Sequence, residues 1–221
     1  MNFFDIKYIF FNVLGYDMSY LEFFASLFGA LGVWLSARAN IWTWPTGIVA
    51  VVLAFFLFYQ VQLYPDMFLQ VFYFVAGVIG WWRWAHPKPG EENKRHELKA
   101  SFMGWKRFGT LSGIGIVGTY TLGTFAENLH ELFPKIFQIP SAYPYADSFV
   151  TVMSVVTTFY MIEKKIESWA MWIIIDALAA YLYFSKGIKL FALEYVVFCF
   201  MASYGLWNWI REKNTPQAIS G

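Results

Sequence analysis

The stretch Tyr20–Gln60, YLEFFASLFGALGVWLSARANIWTWPTGIVAVVLAFFLFYQ, decides the fold class. It holds two apolar runs, Tyr20 to Ala37 and Ile41 to Gln60, in which Glu22 is the lone charge, separated by Arg38-Ala39-Asn40. A hydrocarbon core of roughly 30 Å is crossed by about 20 apolar residues in a helix, somewhat fewer when flanking side chains snorkel. Both runs therefore read as membrane spans, and so short a link makes them antiparallel neighbours. The same rule marks Met67 to Trp84, Phe108 to Ala126, Tyr145 to Ile162, Trp169 to Phe184 and Leu190 to Ile210. Between the third and fourth runs lies Ala85 to Arg107, rich in charge and containing Pro87, Pro89 and Gly90, which cannot enter lipid. The fourth run carries Gly109, Gly113, Gly115, Gly118 and Gly123, a composition that permits close helix contact. Along the chain the pattern is three spans, one span, three spans.

Composition agrees, with 58% hydrophobic and 14% charged residues and a mean hydropathy of +0.46, outside the range of an ordinary soluble domain. Net charge of +1 gives no reason to expect nucleic acid, and the single cysteine, Cys199, excludes a disulfide framework. Met1 to Tyr16 lacks a small-residue cleavage site and reads as an interfacial helix rather than a cleaved signal peptide. The expected organisation is an interfacial segment at 1–19, a first three-helix repeat at 20–84 and a charged cytoplasmic loop at 85–107. A linking span at 108–126, an external loop at 127–144, a second three-helix repeat at 145–210 and a cytoplasmic tail at 211–221 complete it.

Basic residues set the orientation. One side collects Arg38, Arg83, Lys88, Lys94, Arg95, Lys99, Lys106, Arg107, Lys164, Lys165, Arg211 and Lys213, whereas the other has only Lys7, Lys135, Lys186 and Lys189. The richer side is expected to be cytoplasmic, which places the N-terminus outside and the C-terminus inside. This alternation requires the fourth span.

The two triplets resemble each other. Gly80-Trp81-Trp82-Arg83-Trp84 closes the third span as Gly205-Leu206-Trp207-Asn208-Trp209 closes the seventh, both reading G-x-W-x-W. Aligning Trp42 with Trp169 leaves 38 and 36 residues to the closing glycines. With one helix between them, the triplets must run in the same direction, as parallel repeats with a substrate path expected between them. Convergence of Trp-rich helix ends on the aromatic belt is the alternative reading.

The run Asn40-Ile41-Trp42-Thr43-Trp44-Pro45-Thr46-Gly47-Ile48, with Leu63-Tyr64-Pro65-Asp66, Leu69-Gln70-Val71-Phe72-Tyr73 and Gly80-Trp81-Trp82-Arg83-Trp84, resembles the first half of the PnuC family of nicotinamide riboside transporters. Glu167-Ser168-Trp169-Ala170-Met171-Trp172 with Asp176 resembles the second half, and the likeness extends from Leu21 to Trp209. The resemblance implies an all-α membrane protein of seven transmembrane helices in a SWEET-like 3+1+3 fold, assembled as a homotrimer in the cell inner membrane. It further implies uptake of nicotinamide riboside for NAD biosynthesis by facilitated diffusion, with phosphorylation trapping the product inside. Relatives of this pattern carry thiamine or riboflavin, so a related vitamin is the alternative substrate.

Nicotinamide riboside presents a flat cationic ring, a carboxamide and sugar hydroxyls, which call for aromatic faces, an amide partner and carboxylate or amide acceptors. Trp169, Trp172 and Asp176 stand at i, i+3 and i+7 and share one helix face. An ionised Asp near a helix centre costs about 2.5–3.5 kcal/mol on insertion scales, so Asp176 should face a polar cavity or a polar neighbouring helix. Gln70 and Tyr73 follow Asp66 at matching spacing, with Gln70 a candidate carboxamide partner and Asp66 a first-turn charge favouring the helix dipole. Trp44 precedes Pro45 and is expected to reach inward; the other boundary tryptophans read as interface anchors. Asp147, Thr151, Ser154 and Thr158 form a polar stripe that lines a path or bonds its own backbone. Asn208 is a ligand or a packing amide, and Glu194 lies near the outer end of the last span.

His86, His96 and His130 have no i, i+4 partner or Cys pair, so no metal is expected, and no cofactor motif occurs. G-x-S-x-G, P-loop and H-E-x-x-H patterns are missing, and the chain reads as a transporter rather than an enzyme. The competing enzyme reading would use Asp147, Asp176 and Glu194 as acid and base groups.

Overall fold

A computed structural model describes residues 4–13, 15–61, 64–93, 95–132, 142–187 and 189–214. Lys94 and Lys135, which enter the charge count, lie outside the described residues, as does Leu63 of the quoted motif. The elements are β1 (Ile9–Val13), β2 (Tyr16–Ser19), α1 (Tyr20–Ala37), α2 (Thr43–Gln60), α3 (Tyr64–Ala85), α4 (Trp105–Glu127), a short α5 (Leu129–Leu132), α6 (Pro144–Ile162), α7 (Glu167–Ser185) and α8 (Lys189–Asn214). The apolar runs of the sequence lie on the long helices, except that α2 begins at Thr43 and leaves Ile41 and Trp42 before it, and α1 has the expected bounds. Among the described residues four helices, α1, α2, α6 and α7, are long and apolar enough to cross a membrane by length and composition alone. This is an all-helical membrane architecture with one small hairpin.

That hairpin corrects the reading of the N-terminus as an interfacial helix. β1 pairs antiparallel with β2 in the register Phe11↔Met18, Asn12↔Asp17 and Val13↔Tyr16. The cause is local: β-branched and aromatic residues in Ile9-Phe10-Phe11-Asn12-Val13 favour a strand, and Gly15 takes φ +87° in the turn. Asn12 fastens the turn by accepting from the Gly15 N–H at 2.9 Å and donating to Asp17 Oδ1 at 2.6 Å. β2 then runs straight into α1 through a capping box, in which the Glu22 N–H donates to Ser19 Oγ at 3.2 Å and the Ser19 N–H to Glu22 Oε2 at 2.8 Å.

The chain forms two compact units, Met1–Lys99 and Ala100–Asn214, apart from its final residues. In the first, α1 packs on α2 and α2 on α3. Gly32 lies against Gly47, with an added Cβ meeting it at 3.6 Å, and Thr43 Oγ1 donates to the Gly32 carbonyl at 2.9 Å. The charged segment after α3 folds back on that helix end: the Leu98 N–H donates to the Trp84 carbonyl at 2.9 Å, and Arg83 Nη2 donates to Glu91 Oε2 at 2.7 Å. The Arg83 guanidinium holds the Glu91 carboxyl below the usual carboxylate range.

In the second unit α4 packs on α6, α6 on α7 and α7 on α8. Three glycines of α4 make the first contact: Gly115 meets the Met153 sulfur, Gly118 meets Val152 and Gly123 meets the Tyr145 ring. Gly109 and Gly113 face open space. Tyr145 Oη donates to Glu127 Oε2 at 2.8 Å across the same pair of helices. The segment before α4 is clamped to the α6–α7 turn, since the Met103 N–H donates to both Glu167 carboxylate oxygens at 2.8 and 3.0 Å and Lys165 Nζ to Ser101 Oγ at 2.8 Å.

Candidate functional site

The local geometry of α1–α3 recurs in α6–α8 at a constant separation of 125 residues. α1 ends in a Schellman motif, with Ala39 at φ 54° donating to the Ser36 carbonyl and Asn40 to the Leu35 carbonyl. α6 ends in the same way, with Lys164 at φ 48° donating to Met161 and Lys165 to Tyr160. Trp44 then meets Trp84 edge to face at 5.4 Å and 89°, and Trp169 meets Trp209 at 5.4 Å and 89°. Gly80 supports the Trp44 indole as Gly205 supports that of Trp169. The equivalent of Trp169 is therefore Trp44 and not Trp42, which corrects the sequence alignment and removes its discrepancy in spacing. Trp42 is 64% exposed, whereas Trp44 is 8% and Trp169 2% exposed.

This clasp accounts for two of the candidate ligands as interior residues. Trp44 and Trp169 wedge the second helix of each triplet onto the third, with Trp84 and Trp209 at 0% exposure. Belt anchoring does not describe these four rings. Among the described residues neither the Trp44 nor the Trp169 indole N–H finds an acceptor. Lys164, also fully buried, sets its ammonium 5.9 Å from the Trp209 ring centroid, a cation–π contact the sequence reading missed. No residue-type pattern in the sequence announces it, because it depends on the left-handed helix end at Lys164.

Where the triplets differ, the differences fall on most of the other candidates. Trp172 stands where the first triplet has Gly47, and Asp176 where it has Val51. Gln70 and Tyr73 stand opposite Tyr195 and Phe198, and Asn208 opposite Arg83. Thr151 is the exception, since its counterpart Ser26 is also a hydroxyl residue. Residues shared by both triplets build the clasp, and the Trp172 ring and the Asp176 carboxylate are among the positions at which α7 departs from α2.

Asp176 is 5% exposed, and no described residue donates a hydrogen bond to it. On α8, Cys199 Sγ donates to the Ile173 carbonyl at 3.4 Å, one turn before Asp176. A buried carboxylate without a protein partner is costly to keep ionised, and its position suits an incoming donor or cation. Trp172, on the same face of α7, packs partly buried against a cluster of Met103, Met153, Tyr160, Met171 and Ile175. Its ring is thus oriented by neighbours on α6, on α7 and on the segment before α4.

The remaining candidates are more weakly committed. Gln70 is half-buried, and its Nε2 donates at 3.3 Å to the Asp66 carbonyl of its own helix. Tyr73 is half-buried, edge to face with Phe72 at 5.3 Å. Asn208 is half-buried on α8 between the Gly205 and Trp209 positions of the clasp. Thr151 is exposed and donates to the Asp147 carbonyl at 3.0 Å, and Thr158 donates to Ser154 at 2.8 Å, so these hydroxyls serve their own backbone. The Asp147 carboxylate accepts from Lys186 Nζ at 2.7 and 2.8 Å. With Asp147 engaged in that ion pair, the three acids of the enzyme reading do not form a pair of carboxylates free to converge on one reacting bond.

Comparisons with known proteins agree with this architecture. The nicotinamide riboside transporter PnuC of Escherichia coli (strain K12) is 28% identical over 233 residues, covering 96% of this chain and 95% of its own. The Neisseria mucosa protein of that name is 28% identical over 87% of this chain and 73% of its own. The riboflavin/roseoflavin transporter RibM of Streptomyces davaonensis is 21% identical over 88% of this chain and 86% of its own. A crystal structure of the vitamin B3 transporter PnuC superposes with a TM-score of 0.65 at 24% identity, covering 87% of this chain and 81% of that one, a likeness of fold. The family model described as nicotinamide mononucleotide transporter matches residues 19–211, and the chain belongs to that family of membrane transporters.

Proposed function

We infer that this protein carries nicotinamide riboside across a membrane. The observation that carries the reading is the family match over residues 19–211, joined by a relative of nearly equal length that bears the name nicotinamide riboside transporter. Asp176, which accepts no hydrogen bond from the described residues and lies one turn after Trp172 on α7, suits with that ring a flat cation that also offers hydroxyl donors. Trp172 and Asp176 are the proposed core of the site on α7. Trp169 and Trp44 contribute their free indole N–H groups, and Gln70, Tyr73, Asn208 and Thr151 are further proposed contacts.

The finer picture is a SWEET-like order of two parallel three-helix repeats joined by α4, assembled as a homotrimer in the inner membrane. The loop after α3 and the C-terminus face the cytoplasm. Transport is facilitated diffusion, and phosphorylation of the riboside inside the cell makes uptake net. Similarity to a riboflavin transporter supports a second reading, in which a related vitamin, riboflavin or thiamine, is the cargo.

Equilibrium binding to the purified protein separates the two readings. Nicotinamide riboside is expected to bind at least tenfold tighter than thiamine or riboflavin. A preference for either of those would overturn the first reading and adopt the second.

A further inference from the structure

The N-terminal hairpin leaves an aromatic surface that neither the fold nor the transport site uses. Tyr8, Ile9, Phe10, Phe11 and Tyr16 are 37% to 45% exposed, on or beside a sheet of only two strands. Such a hairpin is marginal in water by itself. One part of the surface is held by the protein: Phe10 lies 4.5 Å from the Tyr20 ring and 5.0 Å from Phe23, and Phe11 lies 5.5 Å from Phe23. The rest is apolar and uncovered.

The hairpin's height is fixed by its connections. Ser19 caps α1, so the sheet begins where that span begins, and the Tyr20 N–H donates to the Tyr8 carbonyl at 3.2 Å. A second tie runs to the far end of α2, where the Ile6 N–H donates to Gln60 Oε1 at 3.1 Å and Gln60 Nε2 donates to the Phe4 carbonyl at 2.5 Å. The start of α1 and the end of α2 are one end of an antiparallel pair. With 18 residues in each helix, the pair spans about 27 Å at 1.5 Å per residue, close to a hydrocarbon core. The exposed rings therefore sit at the boundary of that core. The hairpin's polar side chains are paired within the protein, Asn12 with Asp17 and the Tyr16 hydroxyl with Glu22.

We propose that the hairpin Ile9–Ser19 is a lipid-interface anchor, its exposed aromatic face seated among the headgroups and upper acyl chains of the leaflet where α1 begins. Tyrosine and bulky aromatic rings partition to this layer, and there the two-stranded sheet gains the cover it lacks in water. The anchor holds the ends of α1 and α2 together at the membrane surface through Ser19 and Gln60.

The test places a single cysteine at Ile9 in a Cys199→Ala background, labels it with an environment-sensitive fluorophore and reconstitutes the protein in phosphatidylcholine nanodiscs. Arg95→Cys, in the charged loop, serves as the aqueous control. At Ile9→Cys the emission is expected to be blue-shifted relative to the control. Lipids bearing a nitroxide near the headgroup should quench it at least twofold more than lipids bearing it near the chain end, and iodide should quench it several-fold less than the control. Iodide quenching equal to the control would overturn the proposal by putting the face in water. Protection from iodide and lipid nitroxides alike would overturn it by putting protein over the face.

Discussion

Gly205 lies so close to the Trp169 indole that a methyl group on its Cα would stand 2.6 Å from Cε2 of the ring. Gly80 stands in the same relation to Trp44, 125 residues earlier. Neither contact leaves room for a side chain, and in each the tryptophan also packs edge to face with a second buried indole. Gly205→Ala and Gly80→Ala should each lower stability by about 1–3 kcal/mol, the usual cost of overpacking. Gly29→Ala, with nothing within 4 Å of the added carbon, should leave it unchanged or raise it slightly. Thermal unfolding of the three variants in detergent checks this, and equal melting temperatures would discard the clasp.

Ala39 closes α1 in the left-handed region at φ 54°, where a Cβ is unfavourable by about 1–2 kcal/mol. Ala39→Gly should therefore stabilise the protein by up to about 1 kcal/mol, the gain being reduced by the greater freedom of glycine in the unfolded chain. Lys164→Gly should not share this benefit, although Lys164 has φ 48°, because it removes a buried side chain set over Trp209. Opposite shifts in melting temperature for the two variants are the expected result.

Ligand affinity should depend on Asp176 and Trp172. Asp176→Asn keeps the shape and loses a charged acceptor, about 1.5–3 kcal/mol, or a roughly 10- to 100-fold weaker complex. Trp172→Ala should lose the aromatic face, while Trp172→Phe retains part of it. Titration calorimetry with nicotinamide riboside reads each value, and unchanged affinity in both Asp176→Asn and Trp172→Ala would remove α7 from the site.

The basic-residue asymmetry predicts which ends face the cytoplasm. Single cysteines at Arg95 and Glu131, in a Cys199→Ala background, should react with an impermeant reagent in intact cells only at Glu131. Labelling at Arg95 alone would invert the orientation.

The helices were legible because an apolar run long enough to cross lipid has few other uses, and the spans Tyr20–Ala37 and Tyr145–Ile162 needed only their polar flanks to be bounded. The N-terminal strands were not, since Tyr8 to Val13 is apolar at either period and the deciding turn at Gly15 is a single residue. Trp42 and Trp44 differ by two positions in W-T-W, so spacing alone chose the wrong partner for Trp169. Side-chain contacts with Gly80 and Trp84 were required to distinguish them. Asp176 was legible as a costly intramembrane carboxylate, whereas the burial of Lys164 depends on a helix-end geometry that no residue-type pattern announces.

Energy coupling is the last expectation. The sequence has no nucleotide-binding motif, and of the three acids of the enzyme reading Asp147 is held in an ion pair with Lys186 while Asp176 and Glu194 lie on two other helices. A pair of buried carboxylates on one helix would suggest a dedicated proton relay, and these three acids stand on three different helices. The protein should therefore equilibrate its ligand rather than concentrate it. A cationic substrate responds to membrane potential, about 2.3 kcal/mol per charge per 100 mV, so the measurement requires proteoliposomes clamped at zero potential. Uptake of nicotinamide riboside should stop at equal concentrations, and an imposed proton or sodium gradient should leave that plateau unmoved. Enclosing a riboside kinase with ATP should raise total label well above the plateau, because the phosphorylated product would carry a charge where the proposed site would accept a sugar hydroxyl. Accumulation under an ion gradient without the kinase would overturn facilitated diffusion and assign a coupling role to Asp176 or Glu194.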